Sequence, residues 1–232
     1  LANPTYDRAV DSPTWGSNQR SGDLSNLQFA ALPGTAEEGA AIAQLFPEFQ
    51  LFTEAEATEN RLKQATNPHF LHIATHGFFL PPQPQPLMEN PLLRSGLALA
   101  GFNRRESGGE DGVVTALEVT GLNLRGTELV VLSACETGLG EVVQGEGVYG
   151  LRRAFTLAGA ETQIMSLWQV ADEQTKDLMV EYYQRLERGE GRGEALRQVQ
   201  LEMLANPKTK SPFFWAAFIP VGNWEALPMI DN

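Results

Sequence analysis

An α/β fold, a three-layer sandwich with a mostly parallel central sheet flanked by helices, is what this sequence predicts, and three observations predict it. From Leu27 onward, short apolar runs alternate with helix-period stretches. Two of the runs, at 69–75 and 128–134, are apolar nearly throughout, as strands buried on both faces are. The chain's 232 residues and 42% hydrophobic content also supply a core of sufficient size for such layers.

Residues 1–26 are rich in Pro, Ser, Asn, Asp and Gly without an apolar period, and read as a linker or loosely ordered arm ahead of one domain over 27–232. Residues 27–32 read as a strand that Pro33-Gly34 ends. Thr35 and Glu38 have capping-box spacing for a helix to about Phe46. A short strand over 49–52, a helix over 56–65 and a buried strand over 69–75 follow. Residues 80–112 break the rhythm, because PPQPQP fits neither helix nor central strand and NRRESGGEDG is a polar loop. Between them, 95–101 reads as a small strand. A short helix over 115–120 precedes the second buried strand, 128–134. A glycine-rich loop then occupies 138–147, with no Lys-Ser/Thr to make it a phosphate cradle. Helix over 148–157 closed by Gly159, strand over 163–168, helices over 172–188 and 193–204, and strand over 214–220 complete the domain.

Composition removes several function classes. Lys+Arg 17 against Asp+Glu 29 gives a net charge of −12, which excludes the basic face of a nucleic-acid reader. No apolar run has the length of a membrane span, and LANPTYDRAV lacks a signal-peptide pattern, so a cytoplasmic protein without membrane partners is expected. The chain opens on Leu1 rather than Met, as expected of a piece of something longer. With one Cys there is neither an internal disulfide nor a Cys-rich zinc site, and no metal or cofactor is expected.

In doubly wound sheets, sites lie beyond the carboxyl ends of the strands. That rule selects Thr75-His76-Gly77 and Ser133-Ala134-Cys135-Glu136, which puts the lone Cys and a strand-terminal His on one rim. A thiolate there would be a nucleophile, His76 a proton relay, and the backbone N–H groups of Gly77 and Cys135 an oxyanion hole. Alternatively, Cys135 is a buried packing thiol. His72 and His76 have zinc-like spacing, yet on a strand with no third ligand nearby, so His72 and His69 read as structural.

The segments FLHIATHGFF, NPLLRSGLALAG, DGVVTALEVTGLNLRGTELVVLSACETGLGE, GEGVYGLRRAFTLAGA, SLWQVADEQT and FFWAAFIPVGNW, in that order across about 27–227, resemble the CHAT domain. That is a caspase-like and separase-like peptidase domain, common behind tetratricopeptide repeats in bacteria. The resemblance implies a caspase-type sandwich, a His76–Cys135 dyad, a protein or peptide substrate, and a repeat or sensor domain N-terminal to this one in the full-length chain. The segment SLWQVAD resembles the separase stretch in which an aspartate meets the basic residue before the scissile bond. Asp172 is the matching position, although it is equally an N-cap for the helix that follows. Glu136 and Trp168 complete the expected pocket, Glu136 being alternatively a solvated rim charge and Trp168 a core residue. The reading is thus a cysteine endopeptidase selecting Arg or Lys. Its rival is a non-catalytic interaction module on the same fold. A nucleotide-binding flavodoxin-like domain fits the sheet but lacks the glycine fingerprint.

Overall fold

The computed structural model describes residues 1–7, 24, 27–80, 90–136, 146–168, 170 and 172–227, without the side chains of 134–136, 146–149 and 172. A six-strand path runs β2 (Thr53–Glu54), β1 (Ala2–Pro4), β3 (Phe70–Phe79), β6 (Leu129–Glu136), β7 (Thr162–Ser166), β8 (Phe218–Gly222). The first five are mutually parallel; β8 closes the far edge antiparallel to β7. A hairpin of β4 (Ser95–Ala98) and β5 (Val113–Thr115) lies off this path, β4 pairing antiparallel with His76 to Phe79 of β3.

Strand alternation divides the core. Leu71 and Ile73 of β3 and Val130 and Leu132 of β6 bury against α3 (Ala116–Val119) and α4 (Glu146–Ala158). Leu129 and Val131 take the other face, under α1 (Pro33–Leu45), α5 (Asp172–Glu187) and α6 (Arg192–Ala205). The sandwich expected from the sequence is therefore present. Two short helices, α2 (Glu59–Gln64) and α7 (Pro212–Trp215), cover its margins. Thr58 caps α2 by accepting from Arg61 N, and Thr115 with Glu118 forms a capping box at α3.

Local pattern and tertiary demand disagree in several places, among them 49–52, which forms no strand, the ladder falling instead at Thr53–Glu54. The arm expected over 1–26 is a strand at Ala2–Pro4, because β2 and β3 offer it ladder partners on both sides; residues 8–23, 25 and 26 lie outside the description. Residues 27–32 are extended but unpaired with any strand, although Leu27 and Phe29 are buried. Helix α1 begins at Pro33 with no side-chain cap: Thr35 donates back to Leu32 O (2.7 Å), and Glu38 turns inward to Ser133. Pro212 starts a helix where a strand was expected at Phe214 and Trp215, so β8 begins only at Phe218. The glycine-rich stretch at 138–145 lies outside the described residues.

Candidate active site

The two strands selected from the sequence are neighbours, and their register sets the site. His76 is the direct partner of Cys135 across the parallel β3–β6 pair, and Gly77 that of Glu136. His76 does not end its strand, as the sequence had suggested. The β4 hairpin gives His76 through Phe79 a second ladder, so β3 continues three residues past His76, and β6 runs to Glu136. Gly77 is held between Leu97 and Glu136.

The His76 imidazole is 6% exposed. Phe29 stacks on it, with centroids 4.7 Å apart and planes 16° apart, and the Tyr6 ring lies 5.3 Å away. Its Nε2 lies 2.9 Å from the Ala30 carbonyl. A carbonyl only accepts, so Nε2 carries the proton, and in the neutral ring Nδ1 is the basic nitrogen. Below the ring, Tyr6 and Thr75 hydroxyls meet at 2.9 Å, while Thr75 Oγ1 donates to Ala98 O. Thr75 has a single hydroxyl proton, so Tyr6 must be the donor to it.

The remaining candidates are spread along the same rim. Trp168, two residues past β7, is half-buried and donates from Nε1 to Phe213 O (3.0 Å), while Ser166 Oγ donates to the Trp168 carbonyl (2.8 Å). Those bonds pin the indole to the α7 margin. Asp172 is the first residue of α5, where the chain leaves that rim again. The side chains of Cys135, Glu136 and Asp172 lie outside the description.

His72 belongs to a different group, at the start of β3. Its Nδ1 meets Tyr183 Oη at 3.1 Å, and its Nε2 lies 3.1 Å from Glu38 Oε1 but out of hydrogen-bond alignment. Ser133 Oγ donates to the other Glu38 oxygen at 3.1 Å. Burial pushes the Tyr183 phenol well above its ordinary value. His69 is exposed, 3.7 Å from Glu128. No group of three or more His, Cys, Asp or Glu among the described residues is arranged to hold a metal. A cavity of about 590 Å³ opens near this end of β3, lined by Phe49, Leu51, Phe52, Arg61 and His72 among others, away from the rim.

Sequence reasoning missed Phe29, Ala30 and Tyr6 around His76. Phe29 and Ala30 belonged to an apolar run that read as an ordinary strand, and a backbone carbonyl leaves no trace in residue identity. Tyr6 was hidden in a segment without periodicity. No sequence signal marks any of the three.

Comparison with known proteins adds the following. The family model described as CHAT domain matches residues 1–223. Tetratricopeptide repeat protein 28 of Homo sapiens is 24% identical over 243 residues, covering 95% of this chain and 10% of its own length. Tetratricopeptide repeat protein 28 of Mus musculus is 31% identical over 115 residues, covering 48% of this chain and 4% of its own. The chain thus spans a tenth or less of the length of these relatives.

Proposed function

The chain belongs to the CHAT domain family, and from that premise we propose that it is a cysteine endopeptidase domain working through Cys135 and His76. The observation that carries the reading is the side-by-side register of these two residues on adjacent parallel strands. The Cys135 thiolate attacks the peptide carbonyl carbon, and backbone N–H groups at the rim hold the oxyanion. The C–N bond breaks as the imidazolium gives its proton to the leaving amine. With Nε2 occupied by the Ala30 carbonyl, Nδ1 is the nitrogen that gives and later retrieves that proton. Water then attacks the thioester, His76 takes its proton, and the acid product leaves with the thiolate restored.

The substrate is a protein or peptide segment, cut after Arg or Lys that Asp172 receives, with Glu136 and Trp168 forming the pocket walls. The name of the relatives supports a setting behind repeat segments that govern the domain. A cytoplasmic setting belongs to the same reading; no helix among the described residues is long and apolar enough to cross a membrane.

A peptide acyloxymethyl ketone ending in Arg tests the proposal. It should label wild type at Cys135, leave Cys135→Ala unlabelled, and label His76→Ala at least about a hundredfold more slowly, the lower range for loss of a general acid–base. Asp172→Ala should slow the Arg probe far more than an Asp-ended one at unchanged thermal midpoint. Absence of labelling in folded wild type would favour the rival, a caspase-like interaction module. The depth of His76, 6% exposed beneath Phe29, is the observation on that rival's side.

A further inference from the structure

We infer that Asn103 is a positioning residue for His76; its catalytic consequence rests on the peptidase reading, its structural part does not. Residues 27–32 pair with no strand, yet one of them stacks on His76 and the next supplies its hydrogen-bond acceptor. A single side chain replaces the missing strand. Asn103 Oδ1 accepts from Phe29 N at 2.9 Å, and Asn103 Nδ2 donates to Phe29 O at 2.9 Å. The amide thereby satisfies both backbone groups of Phe29, as a residue on an adjacent strand does. Phe29 carries the ring that covers His76, and Ala30, one peptide on, carries the carbonyl that fixes the proton on Nε2.

Asn103 is in turn held firmly. It sits in a 3-10 turn, Phe102–Arg104, entered through Gly101 at φ 83, where a Cβ would meet Glu106 O. Its own N–H donates to Tyr6 O at 3.0 Å. Phe102 packs on Phe29 with centroids 4.8 Å apart, and the Arg105 guanidinium covers the Phe102 ring at 3.9 Å while donating to Leu24 O at 2.6 Å. The residue type matters as much as the place. Asn103 Nδ2 also donates to Asp7 Oδ1 at 2.7 Å. An Asp would keep the acceptor for Phe29 N–H, lose both donor contacts, and set two carboxylates against each other. A Leu would leave both Phe29 backbone groups without the partner they have now.

The test uses ¹⁵N-histidine-labelled protein, with Asn103→Leu and Asn103→Asp beside wild type. In wild type the His76 Nε2 proton should give a slowly exchanging imidazole signal. Both variants should lose that signal while the His72 side-chain resonances stay in place, showing an intact sheet. Labelling at Cys135 by the Arg probe should slow about tenfold, the scale expected when a reacting group is displaced by a fraction of an ångström. An unchanged His76 signal in a folded variant overturns the inference. Should both variants fail to fold, hydrogen exchange of the Phe29 amide in wild type decides. Protection well above that of an exposed loop amide supports Asn103 as its partner, and exchange at the free rate overturns it. A wild type that shows the imidazole signal but never labels at Cys135 ends the peptidase reading and leaves the Asn103 assignment standing on the signal itself.

Discussion

The phenol of Tyr6 is 2% exposed, and its proton goes to Thr75 Oγ1, directly before His76 in β3. Burial, partly offset by the hydrogen bond from the His76 backbone, pushes its pKa up to about 12. The folded state therefore holds the Tyr6 proton more tightly than the unfolded chain does. The resulting stability is present below about pH 10 and is lost as pH rises towards 12. Urea midpoints of wild type should fall across that window more steeply than those of Tyr6→Phe. At pH 7 the variant should be less stable by about 1 kcal/mol, the net worth of one hydrogen bond. At this scale the sequence singled out His76 and Cys135, which the register sets side by side, because a residue of reactive chemistry following an apolar run is conspicuous. It was silent about their surroundings, because Phe29 acts through stacking, Ala30 through its backbone, and Asn103 through a contact 74 residues away in sequence.

Helix α2 is tied to the lead-in of β5 by a buried carboxylate. Glu59, 1% exposed, accepts from Gly112 N at 3.1 Å and pairs with Lys63 at 2.6 Å, and Lys63 also reaches Glu118 (3.1 Å) and Glu110 (3.4 Å). Desolvation outweighs the attraction of Lys63, and with the Glu118 and Asp111 carboxylates nearby it lifts the Glu59 pKa to about 7. Lys63, among those carboxylates, is held above the usual lysine range. Because the folded-state value exceeds the unfolded one, Glu59 adds stability below about pH 4.5 that disappears as pH rises through 7. Glu59→Gln should flatten the pH dependence of the urea midpoint across this window, where wild type loses on the order of 3 kcal/mol from the group. The elements themselves were read unevenly. Long periodic helices such as α5 and α6, and the doubly buried β3 and β6, carry their signal within their own residues. The three-residue β1 has almost none, since Ala2-Asn3-Pro4 becomes a strand only by lying between β2 and β3. Residues 27–32 show the reverse case: an extended, apolar segment whose ladder partner is an amide side chain.

For the molecule as a whole, the polar stretch before β5 is a fastening rather than a loose loop. Arg104 donates from Nε to Asp7 O, Arg105 is anchored on Phe102 and Leu24 O, and Ser107 and Glu110 bridge each other. A protease selecting basic residues is therefore expected to spare Arg104 and Arg105 in the native fold. Brief trypsin treatment should cut at the exposed turn holding Lys208 and Lys210 before it cuts at 104 or 105, as intact-mass analysis would reveal. His76 and the segment that covers it also differ in what supports them. His76 has a β-ladder on either side, whereas the cover over it hangs on one amide and a short turn. Small units that expose little surface open at a smaller free-energy cost than a central sheet. Denaturation should accordingly proceed in two stages, with Cys135 labelling lost at a lower urea concentration than far-UV ellipticity. On the peptidase reading, the domain goes silent while still folded, and recovers on dilution without having to rebuild its sheet.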